Sequence, residues 1–299
     1  MIEYGTHFKN VKKEFKELIE LRKKSSSRDE KAVQEFIEKN PFCILSALGG
    51  IDANYAFLGN VVISQPQLKS ADGDRAPDFL IVSRNSLNLY FNFIELEDPS
   101  KKVFKATEQC PSSDFMQAYN QLKQWSSFSK NEVQNYCAEL LRTLFKDNFN
   151  NTPEKKIHYN HILVYGFSDE ITKLGERYNN LLQEYFNESN LKHCTYSRMI
   201  NELRFNQPFF TVKKDVKSNK FKAIGCTPFR SYKIDEWSEF HNIIDKEVVI
   251  NESEYFTEDE KKKLINEISE LDNKTVKEII DININSPGIT ITNFGDLDI

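Results

Sequence analysis

Pro77-Asp78-Phe79-Leu80-Ile81-Val82 and Leu87-Asn88-Leu89-Tyr90-Phe91-Asn92-Phe93-Ile94-Glu95-Leu96-Glu97 are two apolar runs separated by the turn-forming stretch Ser83-Arg84-Asn85-Ser86. Runs of this length, rich in branched and aromatic residues and closed by a polar turn, predict an antiparallel hairpin. Asp78 then sits at the start of one strand and Glu95 at the far end of the other, so the two lie side by side. Glu95 and Glu97 share the two-residue parity of a strand and face the same side. Carboxylates gathered at one strand end repel one another unless a cation sits among them. Solvated carboxylates that merely punctuate strand ends have the same spacing, and Asp98-Pro99-Ser100 is an ordinary turn sequence.

Outward from the hairpin, the order of elements predicts an α/β chain. Towards the N-terminus, Tyr4–Lys24 carries Phe8, Val11, Phe15, Leu18, Ile19 and Leu21 near helical spacing. A second helix runs from Asp29 through Glu38 and ends at Asn40-Pro41, because a residue before proline avoids the helical region. Tyr55–Ser64 reads as a strand. Asp72-Gly73-Asp74 resembles only a fragment of a calcium loop and reads as a turn.

Beyond the hairpin, Ser112-Ser113-Asp114 predicts a helix start, and on that helix Gln117, Gln121 and Gln124 form a polar stripe. A helix over Glu132–Phe145 and a strand over His161–Phe167 follow, then a helix from Asp169 to about Phe186, a strand over Lys192–Tyr196 and a helix over Ser197–Phe205. Strand–helix–strand order predicts a right-handed crossover and a parallel pair. The expected fold is a mixed sheet flanked by helices. After Asn206 the composition shifts to a hairpin of Phe209–Val212 with Phe221–Ile224, helices from Thr257 and Lys274, and a strand-like tail at Gly288–Thr292. The expected organisation is therefore an N-terminal amphipathic helix (1–28), a central α/β domain (29–205) and a C-terminal appendage (206–299).

Composition narrows the functional classes. A charged fraction of 28% and a net charge of −5 describe a water-soluble chain without a globally basic surface. Basic residues nevertheless concentrate in the first segment (Lys9, Lys12, Lys13, Lys16, Arg22, Lys23, Lys24 and Arg28), either as a solvated helix face or as a phosphate-binding patch. No apolar stretch reaches membrane-spanning length and no signal-like N-terminus is present, which predicts a cytoplasmic location. With 10 Gly in all there is no phosphate-cradling loop. The five Cys show no paired spacing and read as reduced, mostly buried thiols. His158 and His161 fall on opposite faces of a strand, which argues against a zinc site with His193 and Cys194.

The run Glu35-Phe36-Ile37-Glu38-Lys39-Asn40-Pro41, then Pro77-Asp78-Phe79, Ile94-Glu95-Leu96-Glu97-Asp98-Pro99, Gln117-Ala118-Tyr119-Asn120-Gln121-Leu122-Lys123-Gln124-Trp125 and Thr195-Tyr196 resembles, in that order, the Shedu immune nucleases. Their domain has the PD-(D/E)XK, or restriction-endonuclease-like, fold. The resemblance implies a Mg2+-dependent DNA endonuclease of bacterial anti-phage defence, with Mn2+ as an alternative ion, working as a homo-oligomer (dimer or tetramer). It implies metal-binding roles for Asp78 and Glu95. It also implies a carboxylate lent by the preceding helix, Glu35 or alternatively Glu38, and a place for Gln117 facing the site. One departure stands out, since the family usually has Lys two residues after the Glu and this chain has Glu97. Lys101, Lys102 or Lys123 are the candidates to supply the missing cation at the phosphate. The rival expectation is a degenerate site on the same fold, acting as a DNA-end-binding or assembly module.

Overall fold

The computed structural model describes residues 4–25, 30–48, 56–57, 61–68, 76–105, 110–126, 130–145, 156–188, 190–203, 210–218, 220–227 and 243–270. The turn at Asp72-Gly73-Asp74, the helix expected from Lys274 and the strand-like tail lie outside them.

The hairpin forms, with its turn later than expected: Ser83 and Arg84 remain in the first strand, and Leu87, exposed, belongs to the turn rather than to the second strand. β3 (Phe79–Arg84) pairs antiparallel with β4 (Asn88–Leu96), with Phe79 opposite Ile94 and Val82 opposite Phe91. Its turn is held by Asn85, whose side-chain oxygen accepts the backbone N–H groups of Leu87 and Asn88. Before it come β1 (Ala56–Phe57) and β2 (Val61–Ser64), two short segments on the same edge of β3 where one strand was expected. On the other side, β5 (Lys156–Val164) runs parallel to β4 over its whole length. It begins earlier than its apolar core suggested because cross-strand partners hold its polar half: His158 stacks on Tyr90, Tyr159 on Phe91, and Asn160 donates to Asn92. β6 (Leu191–Cys194) pairs parallel with β5 and forms the edge of the sheet.

Two helix layers bury the sheet. On one face lie α1 (Tyr4–Lys24), α2 (Lys31–Lys39), the 3-10 segment Pro41–Leu48 and α7 (Tyr196–Asn201). Val11, Phe15, Val33 and Ile37 from this layer pack on Val62, Ile81, Ile94 and Ile162. The other face carries α3 (Ser113–Ser126) and α4 (Lys130–Phe145). The Ser112 hydroxyl accepts the Phe115 N–H and so caps α3 as predicted. The helix expected over Asp169–Phe186 is two, α5 (Ser168–Leu174) and α6 (Glu176–Tyr185), because Gly175 has a φ of 88° and breaks the run.

Part of the basic face of α1 is spent on the fold. Arg22 forms an ion pair of 3.2 Å with the fully buried Asp98, and Lys23 pairs with Asp169 at 3.3 Å while lying over the Phe167 ring.

Described strands beyond residue 205 join the same sheet. β7 (Phe210–Lys214) runs parallel to β2, β8 (Phe221–Cys226) pairs antiparallel with β7, and β9 (Ile243–Ile244) closes that side. Phe210, Val212 and Ala223 share a core with Leu80, Val82 and Phe91. This continuity reflects an unpaired edge of β2 that a parallel strand can satisfy. Gly225 is essential to the fit, since a Cβ there would lie 2.0 Å from the Glu38 carbonyl oxygen. β8 thus packs directly on the end of α2. α8 (Lys246–Glu252) follows, and helix α9 (258–270) starts in a capping box between Thr257 and Glu260. Among the described residues no helix is long and apolar enough to cross a membrane.

Candidate active site

One rung beyond the Phe79–Ile94 pair, Asp78 and Glu95 meet at the end of the hairpin. Asp78 Oδ2 accepts the Leu96 N–H at 2.7 Å, which ties the two strands together at that point. Glu95 Oε1 accepts a hydrogen bond of 2.8 Å from Gln121 Nε2 on α3. Its other oxygen, Oε2, is buried and has no hydrogen-bond partner. Glu97 lies just past the strand. Its N–H donates to the Val164 carbonyl at 3.1 Å, and its own carbonyl accepts from the buried Tyr196 hydroxyl. Strand β5 and helix α7 thereby set the backbone that carries Glu97.

A cation reaches this cluster from the loop after β4. Lys101 Nζ contacts the Glu97 carboxylate and bonds Glu30 Oε1 at 2.7 Å, bridging the hairpin end to the start of α2. From the far end of α2, Glu38 accepts hydrogen bonds from Ser64 and Gln34.

The electrostatics of the cluster follow from burial among like charges. Burial pushes the Asp78 carboxyl up to about 7; the Leu96 N–H opposes this, and Glu30, Glu97 and Glu38 add to it. Glu95 is raised well above the carboxylate range by burial, then by Asp78 and Glu97. Burial also lifts Glu97 to about 7 despite the Lys101 ammonium beside it. Protons or a cation are therefore favoured here over bare carboxylates.

Asp78, Glu95 and Glu97 are thus brought together. Gln117 lines a cleft of about 800 Å3 with Ala76, Asn120, Gln121 and Gln124. Gln121, noted in the sequence only as part of the stripe, makes the contact with Glu95. Glu35 does not join. It is exposed on α2 and pairs with Lys31 at 3.5 Å, since 3.6-residue periodicity turns it about 200° from the buried Val33. Glu30, Gln34 and Glu38, at i, i+4 and i+8, share the flank that meets the sheet, so it is Glu38, the alternative named in the sequence, together with Glu30 that α2 turns towards the cluster. Lys102 is exposed and near Glu170, while Lys123 pairs with Glu188 at 3.3 Å. Neither has an ion pair with the cluster. His158 stacks on Tyr90 and His161 on Phe93, on opposite faces, so they do not meet. Among the described residues no three His, Cys, Asp or Glu side chains stand in a ready-made coordination shell, and the carboxylates of the cluster turn to Leu96, Gln121 and Lys101 instead.

A mixed sheet with a hairpin that gathers an aspartate and a glutamate at its end, facing a crossover helix, defines an α/β protein of the restriction-endonuclease-like class. The family model for the C-terminal region of the Shedu protein SduA matches residues 27–200, more than half of the chain. The chain belongs to the Shedu family, which places it in bacterial anti-phage defence. The matched segment holds every carboxylate of the cluster. From outside it, helix α1 packs on the core of one sheet face and strands β7 to β9 join the core of the other. No curated protein matches the chain.

Proposed function

We propose that this protein is a divalent-metal-dependent DNA endonuclease that hydrolyses phosphodiester bonds. The observation that carries this reading is the pairing of Asp78 with Glu95 at the end of the hairpin, with the second Glu95 oxygen buried and without a hydrogen bond. Hard oxygen donors in that arrangement fit Mg2+ or Mn2+. Asp78 and Glu95 would hold the ion, with Glu97 or Glu38 completing the set. A bound divalent cation supplies charge neutralisation at the scissile phosphate and an activated water.

The chain's own groups have definable parts. Gln121 fixes the orientation of Glu95 through its 2.8 Å bond. Lys101 places a positive charge beside Glu97, which takes the role of the lysine that the family usually carries two residues after the glutamate. It is held there by Glu30, so the ammonium is oriented before substrate arrives. The cleft lined by Gln117, Asn120 and Gln124 leads duplex to the carboxylates with amide groups rather than charge. The working species is a homo-oligomer, to be read by light scattering at assay concentration.

Cleavage of linear and circular duplex DNA with Mg2+ or Mn2+ tests the reading, comparing the wild type with Asp78→Ala and Glu95→Ala. Metal-dependent cutting that falls at least 100-fold in both variants is expected. A wild type that binds duplex and cuts no end structure with either metal overturns it in favour of a degenerate binding module.

A further inference from the structure

On the outer edge of β6, away from the carboxylates, is a second cavity of about 440 Å3 with no assigned role. That volume lies in the range of small-ligand sites. The cavity wraps around the edge strand, because Lys192 and His193 are successive residues and point to opposite faces of the sheet.

One side is flat and mainly apolar. His193 stacks on Phe186 with ring centroids 5.3 Å apart, and the buried Leu182 adjoins them. His193 Nε2 donates to the Tyr165 carbonyl at 2.9 Å, and burial lowers its pKa to about 4, so the ring is neutral and oriented. Gln183, on the exposed side of α6, adds an amide able to bond the edge of a heterocycle.

The other side is cationic. The half-buried ammonium of Lys192 has no ion pair among the described residues, and burial lowers its pKa. Arg198 lines the same side and is steadied through Nε by Glu202 at 2.8 Å. Among the described residues no carboxylate lines the cavity. A desolvated ammonium without a counter-ion is costly unless an anion completes it. A guanidinium beside it suits the planar oxygens of a phosphate.

We propose that this cavity binds a nucleoside monophosphate, the heterocycle against Phe186 and His193 and the phosphate on Lys192 and Arg198. Both halves of such a ligand are matched, and a bare anion would leave the aromatic side empty.

Isothermal titration of the full chain with each of the four common nucleoside 5′-monophosphates, the matching nucleosides and inorganic phosphate tests the assignment. At least one monophosphate is expected to bind tenfold or more tightly than both its nucleoside and inorganic phosphate. Lys192→Met keeps the aliphatic stem and should weaken that ligand at least tenfold. Arg198→Gln, a change at an exposed position, should weaken it several-fold with the fold intact, and Asp78→Ala should leave it unchanged. Binding of inorganic phosphate as tight as any nucleotide, no heat from any monophosphate, or loss in Asp78→Ala but not in Lys192→Met overturns the proposal. The readout is binding alone, so a failure of DNA cleavage leaves it standing.

Discussion

Asp78→Asn should stabilise the metal-free protein at pH 8 while abolishing its response to divalent cations. Burial, reinforced by Glu30, Glu97 and Glu38, raises this carboxyl from 3.8 to about 7 in the folded protein, even though the Leu96 N–H favours the charged form. An acid with a raised folded pKa binds protons more readily folded than unfolded, so stability falls as pH climbs from about 4 to about 7 and levels off above. At roughly 1.4 kcal/mol per pH unit, the ionised group costs at most about 4 kcal/mol at pH 8 and less than half of that at pH 5. Part of the repulsion is shared with Glu95 and Glu97, so a gain of about 2 kcal/mol at pH 8 is expected. The amide keeps an oxygen to accept the Leu96 N–H, and the strand pairing survives. Urea denaturation in EDTA at pH 5 and pH 8 measures the gain, and thermal melts with and without Mg2+ measure the metal response. A destabilised variant at pH 8, or a gain equal at both pH values, would refute the reasoning.

Other substitutions probe the remaining parts of the cluster. Lys101→Met should reduce DNA cutting at least 100-fold while duplex affinity stays within about threefold, because one oriented cation is lost at the phosphate rather than a binding surface; equal losses of cutting and binding would point to a structural role. Glu35→Ala should leave cutting unchanged and stability within about 0.5 kcal/mol, whereas Glu38→Ala should slow cutting about tenfold in the same gel assay. Gly225→Ala should destabilise by about 2 kcal/mol or more through its clash with the Glu38 carbonyl, and should slow cutting as α2 shifts; a near-neutral melt with full activity would show that α2 accommodates the change.

Much of this protein was legible in its sequence because the decisive signals are local. The hairpin follows from two apolar runs and a turn, and its register alone places Asp78 beside Glu95. Tyr4–Lys24, the cap of α3 and the parallel β5–β6 pair follow from periodicity, hydroxyl chemistry and crossover handedness.

Tertiary packing decided the rest. Which carboxylate α2 lends depends on how the helix is rotated on the sheet, and burial of Val33 and Ile37 turns Glu30 and Glu38 inward and Glu35 to solvent. The position of Lys101 depends on a turn at Asp98, which Arg22 anchors from 76 residues away. The place of β7 and β8 depends on the free edge of β2, so two strands with their own hairpin signature became part of the central sheet. Local sequence specifies strands, turns and caps because those interactions span a few residues. Long-range contacts choose which side chains converge, since the burial that stabilises them exists only once the layers have closed.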